Sequence, residues 1–317
     1  MKIVEGIKKS CFVLLAFILI GIGLNKALTL YEKHKYQPLG TMVKVNNQNM
    51  HVYIQGEGKN TIVLMSGLGT AAPVLDFEPL INVLAQNNKV VVVEPFGYGW
   101  SDQTNTQRSV QNIIEELRTA LKECGITEKV VLMPHSVSGI YAMYYANTYP
   151  EEVSSVIGID CTLPKMCHYF NEEPPTLPSL LQYLSPLGIT RLYLTFNPEI
   201  AYPTSGIQNY SQQNLQTTKT ITTWQIYNKN IIMEAESLPA NINTTYDMEF
   251  PKELPVLIFT VDSPKTSADG KTKESFYNTY LDTLTRSKLI FLTGTHYLHN
   301  TCSQEMSEEI NTFLQGN

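Results

Sequence analysis

The sequence predicts an α/β fold in which a mostly parallel β-sheet is covered by helices on both faces. From residue 42 onward, short runs rich in Val and Ile alternate with segments of helical periodicity, and this alternation is typical of such sheets. Several runs are apolar throughout, as expected for strands buried on both faces. Between Asp160 and Pro255 no convincing core strand occurs. That interval is too long for a loop and predicts an inserted, largely helical cap at about residues 161–250.

Eight strands are expected. The first two, MVKVNN and MHVYIQG, read as an antiparallel pair. The other six are TIVLMSG (61–67), KVVVVEP (89–95), KVVLMPH (129–135), SSVIGID (154–160), PVLIFTVD (255–262) and SKLIFLT (287–293).

Helices are expected between and after these strands. Ser109 can cap a helix whose apolar residues recur every three or four positions until Gly125. A closing helix is expected from Gln304 to Leu314. Within the cap, the helix-compatible segments are 178–196, 209–217 and 219–237.

Composition and charge exclude several functional classes. The chain has 317 residues, with 23 Lys and Arg against 29 Asp and Glu, so a basic nucleic-acid-binding surface is not expected. An apolar fraction of 43% excludes a disordered chain. Five cysteines do not indicate a disulfide framework at this length, although Cys161 and Cys167 could bridge in an oxidising compartment. Metal-ligand motifs and a phosphate-binding loop are absent from the sequence, so no metal or cofactor is expected.

The first 35 residues contain a candidate membrane segment. Cys11 to Leu24 is an unbroken apolar run, about 21 Å long as a helix, whereas a hydrocarbon core is about 30 Å thick. Continuing to Leu30 makes spanning feasible, with Asn25 and Lys26 as the interruptions. An uncleaved anchor is expected, with a cleaved secretory signal and a buried core helix as alternatives. The Lys residues balance on the two sides, and the short N-terminal tail favours a position of the following domain outside the cytoplasm.

A serine lies where the fifth predicted strand passes into a helix. The residues are Pro134-His135-Ser136-Val137-Ser138, with Gly139 one position later. A sharp turn there would lift the Ser136 hydroxyl above the sheet, and backbone N–H groups at the helix start would point at negative charge developing beside it. Ser136 is therefore a candidate nucleophile.

This pattern resembles the nucleophile elbow, G-x-S-x-G, of the α/β-hydrolase superfamily. The resemblance extends over nearly everything from residue 42 onward and implies an α/β-hydrolase fold. In the family, small residues two before and two after the nucleophile relieve crowding. Ser138 complies with this rule, whereas Pro134 departs from it and removes an N–H from a central strand.

Two further motifs agree with the resemblance. Ser66-Gly67-Leu68-Gly69 ends the third strand where the family commonly places half of its oxyanion hole, so the N–H groups of Leu68 and Val137 are the implied oxyanion donors. Glu94-Pro-Phe-Gly-Tyr-Gly-Trp-Ser-Asp102 looks like the family turn D-x-x-G-x-G-x-S-D, with Glu in the first position. That turn is expected to be structural.

A serine nucleophile needs a base, because its hydroxyl is a poor nucleophile at neutral pH. The family places its catalytic His in a loop after the last strand, and Gly294-Thr-His296-Tyr-Leu matches this loop. His296 is the expected base and His299 is the alternative. His135 is expected to support the turn, whereas His34, His51 and His168 are expected at the surface or in the cap.

The acid that orients the base is less clearly indicated by the sequence. Asp160 ends the strand after the nucleophile, and Asp262 follows the penultimate strand. Either carboxylate would lie at the carboxyl edge of the sheet, where ligands bind in open α/β folds. Asp160 is preferred, Asp262 is the alternative acid, and Asp269 is a third candidate.

The expected function is ester or amide hydrolysis through an acyl-enzyme on a small or medium apolar substrate. Dehalogenases and epoxide hydrolases of similar architecture carry Asp at the elbow, whereas this chain has Ser136. Alternatives are a catalytically weak, hydrolase-like binding or sensing protein, a proline-iminopeptidase-like aminopeptidase, and a cofactor-free perhydrolase or lyase. Val137 argues against the aminopeptidase, and Glu172 or Glu173 hint faintly at it. Expected partners are a small-molecule substrate and a membrane.

Overall fold

Eight strands form a single sheet in the computed structural model, which describes residues 2–262, 267 and 269–315. They are β1 (Thr41–Val45), β2 (Gln48–Gln55), β3 (Thr61–Met65), β4 (Lys89–Val93), β5 (Val130–Pro134), β6 (Val153–Ile159), β7 (Val256–Val261) and β8 (Ser287–Leu292). The spatial order is β1-β2-β4-β3-β5-β6-β7-β8. Only β2 pairs antiparallel with its neighbours β1 and β4; the other pairs are parallel. The predicted eight-stranded α/β-hydrolase fold is confirmed.

The helices of the described residues precede, connect and follow these strands. They are α1 (Lys2–Lys35), α2 (Pro73–Asp76), α3 (Glu78–Leu84), α4 (Val110–Glu123), α5 (Ser138–Thr148), α6 (Met166–Phe170), α7 (Ile189–Phe196), α8 (Gln212–Gln225), α9 (Lys229–Thr245), α10 (Lys273–Leu281), α11 (Leu298–Thr301) and α12 (Ser303–Gln315).

The sheet is covered on both faces, as its uniformly apolar strands require. One apolar cluster joins the sheet to residues of α4, α5 and α10, and a second joins the opposite face to α3 and α12. The strands β3 and β5 are buried at every position. Because burying apolar surface drives folding, these two layers fix the central strands whose ends carry the candidate site.

The helix α4 shows how local sequence sets an element. Ser109 caps its first turn by accepting a hydrogen bond from the Asn112 N–H, which satisfies a free donor at the helix start. Its apolar side faces the sheet through Ile113, Ile114 and Leu117. The left-handed backbone of Gly125, with φ of 73°, then ends the helix, as predicted.

The segment between β6 and β7, residues 160–255, holds α6 to α9 and several short 3₁₀ turns. The breaks between its helices differ from the sequence expectation. A break was expected at residue 218, but α8 continues through it to Gln225. The chain instead turns at Tyr227, which has a φ of 54°, and Asn228 caps α9. Tertiary burial of Thr222 and Thr223 outweighs the weak helix propensity of threonine.

The helix α1 is long enough to cross a membrane. Among the described residues it is the one helix with suitable length and apolarity, over Val4–Lys35, and its most apolar window is only 6% buried inside the protein. Its last third packs against the rest of the chain, where Asn25 donates to the Ser185 carbonyl. Just past its end, Trp100 Nε1 donates to the Tyr36 carbonyl.

The predicted surface position of His51 is wrong. His51 is fully buried and its Nδ1 lies 2.9 Å from Glu94 Oε2. Glu94 also accepts from the N–H groups of Val74 and Trp100, so the Glu in the first position of the predicted turn organises the turn itself. Cys161 and Cys167 are both free thiols.

An ion pair near the start of β6 gives the fold a defined acid sensitivity. Arg118 donates two hydrogen bonds to Glu152, and this bonding lowers the pKa of Glu152 to about 2. Because the folded pKa lies below the unfolded value, the stabilisation is complete above about pH 4.5 and is lost as the pH falls toward 2.

The exchange of Glu152→Gln is expected to lower the free energy of unfolding at pH 7 by about 2 kcal/mol. Denaturant unfolding at pH 7 and pH 3 measures this. The variant is expected to lose less stability than wild type on acidification, because its amide does not titrate. The neighbouring, exposed Glu151 supplies the control Glu151→Gln, which should match wild type. Equal acid sensitivity of Glu152→Gln and wild type would contradict the assignment.

Candidate active site

Ser136 lies in a strained turn at the carboxyl end of β5. Its φ is 55°, a left-handed conformation that non-glycine residues rarely adopt. The turn is held from both sides: the His135 N–H donates to the Met65 carbonyl at 2.8 Å, and the Ser136 N–H donates to the Ile159 carbonyl at 3.2 Å. Although Pro134 has no N–H to donate, these two hydrogen bonds still anchor the turn to both neighbouring strands.

Two glycines let the backbone approach this turn closely. A Cβ on Gly67 would lie 3.0 Å from the Ser136 Cβ, and a Cβ on Gly139 would lie 2.4 Å from the Thr162 carbonyl oxygen. Gly139 is thus required for packing α5 against the loop after β6, although it stands one position later than the family pattern. The Ser138 hydroxyl donates to the Ser66 carbonyl at 2.5 Å and ties the turn to the loop after β3.

The structure brings His296 and Asp160 together. The His296 Nδ1 lies 2.7 Å from the Asp160 Oδ2. The alternative acids lie elsewhere: the side chain of Asp262 is exposed, and Asp269 pairs with Lys271. The alternative base, His299, is buried with its Nε2 2.8 Å from Asp76.

Asp160 is surrounded by hydrogen-bond donors. Its Oδ1 accepts from Thr260 Oγ1 at 2.7 Å, from the Val261 N–H at 3.4 Å and from Lys273 Nζ at 2.5 Å. Burial alone would raise the pKa of Asp160, but the hydrogen bond from His296 and the charge of Lys273 outweigh it and hold the pKa well below its ordinary value. Asp160 is consequently a carboxylate at neutral pH.

His135 supports the loop that carries His296. Its Nε2 donates to the His296 carbonyl at 3.1 Å, and the two rings lie 4.8 Å apart. Burial, followed by the charges of His299 and His296, lowers the pKa of His135 well below its usual value. The contact between His135 and His296 therefore places the turn that carries Ser136 directly beside the expected base.

The expected oxyanion donors have no other acceptor. The N–H groups of Leu68 and Val137 form no hydrogen bond with any residue that the structure describes. Val137 directly precedes α5, so its N–H lies at a helix start, where anions are stabilised. Ser136 Oγ likewise has no partner within the described ranges. Such hydrogen bonds commonly tighten only when substrate binds.

A buried carboxylate holds the loop after β3 in place. The Gly69 N–H donates to Tyr98 Oη at 3.2 Å, and Tyr98 in turn donates to Glu234 at 2.8 Å. Tyr141 donates to the other oxygen of Glu234, also at 2.8 Å. Burial raises the pKa of Glu234 and that of Tyr98. This chain of bonds connects α9 to the residue after Leu68.

The exchange of Tyr98→Phe tests this connection. Removing the hydroxyl frees the Gly69 N–H. If the N–H of the adjacent Leu68 is the expected oxyanion donor, kcat for ester hydrolysis should fall by about tenfold, because that donor is then less firmly placed. Tyr141→Phe is the matched control, since it removes the other bond to Glu234 without touching the loop. Both variants should lose similar stability in thermal unfolding, and only Tyr98→Phe should lose activity. Equal activity losses would contradict the connection.

One cavity lies at the candidate nucleophile, and a second adjoins it. One, of about 370 Å³, is lined mainly by apolar residues and includes Ser136, Leu68, Val137, Pro175, Leu177 and Leu238. The other, of about 210 Å³, is more polar and includes Asp76, Tyr297 and Asn300. Both contain Gly69 and Ile226 in their walls. The site can therefore receive an apolar group beside Ser136 and a more polar group in the adjoining cavity, whose walls do not include Ser136.

Sequence reasoning missed Lys273 and the Tyr98–Glu234 pair. Lys273 follows a long loop after β7, and no spacing rule links it to Asp160. The sequence did contain a signal for Glu234, because this acidic residue interrupts the apolar face that Ile231, Ala235 and Leu238 form on α9. A lone acidic residue on a buried face requires a partner. Within the described residues, no group of three or more His, Cys, Asp or Glu is arranged to hold a metal ion.

Comparisons with known proteins agree with this architecture. A sequence model of the alpha/beta hydrolase fold matches residues 60–187. The chain is 30% identical over 269 residues to the uncharacterized protein YbdG of Bacillus subtilis (strain 168), covering 82% of this chain and 81% of that protein.

More distant similarities point the same way. A proline iminopeptidase of Saccharolobus solfataricus is 24% identical over 143 residues, which is 43% of this chain and 46% of that protein. The crystal structure of epoxide hydrolase VrEH1 from Vigna radiata aligns with a TM-score of 0.65 at 14% identity, covering 87% of this chain and 98% of that one. At that identity the likeness shows the fold alone. The chain belongs to the α/β-hydrolase superfamily.

Proposed function

We propose that the protein is a serine hydrolase that cleaves an ester through an acyl-enzyme. The observation that carries the proposal is the His296–Asp160 hydrogen bond of 2.7 Å at the strand end next to Ser136, whose backbone bonds to Ile159. A serine in a strained elbow, an imidazole and a buried carboxylate are the parts of a catalytic triad.

The proposed reaction follows from the orientation of the imidazole. Because Nδ1 of His296 faces Asp160, Nε2 is the atom available to take the Ser136 proton. The serine oxygen attacks the substrate carbonyl, and the N–H groups of Leu68 and Val137 stabilise the oxyanion. The leaving alcohol takes the proton from His296, and the acyl group stays on Ser136. Water, deprotonated by His296, then releases the acid and restores the serine.

An ester fits the cavities better than an aminoacyl substrate. Glu172 and Glu173, the hints at an amine-binding site, are exposed, and the described lining of the larger cavity contains no charged side chain. We therefore assign the larger cavity to the acyl group and the more polar one to the leaving alcohol. The segment 160–255 supplies Pro175, Leu177 and Leu238 to the acyl cavity, and we propose that it acts as the cap.

Hydrolysis of a substrate panel tests the proposal. The panel contains p-nitrophenyl esters of short and long chain length together with aminoacyl amides. Turnover of esters in excess of amides is expected. Turnover of amides alone would favour the aminopeptidase, and turnover of none would contradict the hydrolase.

A second candidate function rests on Lys273. Its ammonium lies 2.5 Å from Asp160 and competes with the imidazolium for the carboxylate that would stabilise it. This arrangement favours a catalytically weak, hydrolase-like binding or sensing protein. The same panel separates the two functions, because a sensing protein would bind esters without turning them over.

We further propose that α1 anchors the protein in a membrane, with the hydrolase domain outside the cytoplasm. The anchoring part of the proposal rests on the 34-residue length of the helix and its exposed apolar surface. A cleaved signal would give a secreted domain instead. Without protease, the protein should be found in the membrane fraction. Protease treatment of intact cells should then digest the domain. Complete protection would contradict the orientation.

A further inference from the structure

The short helix α7, in the proposed cap, exposes an apolar stripe. Ile189, Leu192, Tyr193 and Phe196 are spaced by three or four residues, so they share one side of the helix. Leu192 is 63% exposed and Phe196 is 76% exposed. The preceding Leu187 is exposed as well. We call these five residues the cap stripe. Soluble surfaces rarely present contiguous apolar side chains of this size without a partner.

The cap stripe begins beside the point where the apolar run of α1 ends. Asn25, the first polar residue after Leu24, donates to the Ser185 carbonyl at 2.9 Å. A Cβ on Gly188 would lie 3.2 Å from the Asn25 Cβ. Since Leu187 and Ile189 flank Gly188 in the chain, the start of the stripe lies beside Asn25, where the apolar run of α1 ends.

Polar contacts hold α7 against α1 at this level. Arg191 donates to Asn25 at 2.9 Å and to Thr29 at 3.0 Å, and it forms an ion pair with Glu32. Trp224 Nε1 also donates to Glu32, at 2.9 Å. The side chains of Asn25, Thr29 and Glu32 on α1 are thereby bonded to the segment 160–255. Leu24 and Leu28 on α1 are exposed near this junction, as is Lys26 between them.

We propose that the cap stripe lies in the interfacial layer of the same bilayer that α1 enters, and that the substrate is consequently a lipid-like acyl ester reached from that bilayer. An amphipathic helix with one apolar side is stable in this layer. If α1 is anchored, α7 is already held beside the bilayer, so the entropic cost of bringing it there from solution is not incurred again. Continuity with α1 selects lipid over a second protein copy. The acyl cavity takes Pro175 and Leu177 from the segment before α7, from which the 3₁₀ turn Ser179–Tyr183 separates them. The substrate half of the proposal rests on the hydrolase proposed above.

Quenching by brominated phosphatidylcholine tests the docking independently of activity. The full chain carries Phe196→Trp and is reconstituted in vesicles with or without bromine on the acyl chains. Phe291→Trp is the matched control, because Phe291 is exposed on the edge strand β8, and both variants retain the native tryptophans. Extra quenching at position 196 relative to position 291 is expected. Equal quenching would overturn the docking, and cross-linking between copies through α7 would assign the stripe to a second copy.

Kinetics test the substrate half. Leu192→Glu is expected to lower hydrolysis of monooleoylglycerol in vesicles by about tenfold, the loss expected when a buried leucine is replaced by a charge. Hydrolysis of soluble p-nitrophenyl acetate should change less than twofold. Phe291→Glu should alter neither rate. Equal losses on both substrates would overturn the substrate assignment. Failure of the unmodified protein to cleave either ester would contradict the hydrolase and its substrate, whereas the quenching would still decide the docking.

Discussion

Replacing Ser136 by Ala is expected to lower kcat/KM for an ester by about 10⁵-fold. The hydroxyl is the atom that would bond to the acyl group, and the other serine hydroxyl of the elbow, that of Ser138, is bonded to the Ser66 carbonyl. The residual rate would come from substrate binding and the oxyanion donors alone. The measurement is hydrolysis of the best ester in the panel by purified full-length protein.

The control for Ser136→Ala is Ser155→Ala. Ser155 is fully buried on β6, and its hydroxyl has no hydrogen-bond partner among the described residues, so its removal should preserve both fold and activity. Retention of more than about a tenth of the wild-type rate by Ser136→Ala would exclude covalent catalysis by this serine.

Replacing Asp160 by Asn is expected to lower kcat by about 10⁴-fold. The amide does not stabilise the imidazolium that forms when His296 takes the serine proton, and it can hold the ring in the wrong tautomer. It also leaves Lys273 without the carboxylate it now contacts at 2.5 Å, so circular dichroism must confirm that the variant is folded. Ester hydrolysis at neutral pH is the measurement.

The matched control is Asp262→Asn. Asp262 lies at the end of the neighbouring strand, its N–H donates to the Leu292 carbonyl, and its side chain is exposed. Near-wild-type activity is expected for this variant. If Asp160→Asn kept a near-wild-type rate and Asp262→Asn lost it, the order of the two candidate acids would be reversed.

The strands could be predicted from the sequence because their apolar runs are long and unbroken. The run at residues 129–135 coincides with β5, and its abrupt end before a small-residue helix identified the elbow at Ser136. Runs of this kind specify burial on both faces, and burial dominates the fold. The outer helices of the segment 160–255 were less predictable, because α8 contains many threonines whose positions are decided by tertiary packing.

The side chains that contact the site residues were harder to predict from the sequence than the strands. Asp160 and Asp262 end neighbouring parallel strands, so chain order alone leaves both carboxylates near the base. The left-handed turn of Asp160, with φ of 39°, directs its side chain to His296, and this turn has no sequence signature. The contact with Lys273 depends on where a long loop returns to the sheet, which periodicity does not encode.

Mapping a covalent adduct by mass spectrometry tests the central claim most directly. A fluorophosphonate reacts with a serine only when a neighbouring base activates it. After treatment of the full chain and digestion, the predicted result is one adduct, located on Ser136, with labelling strongly slowed in His296→Gln. An adduct on a different residue, or labelling of Ser136 at an unchanged rate in His296→Gln, would contradict the account.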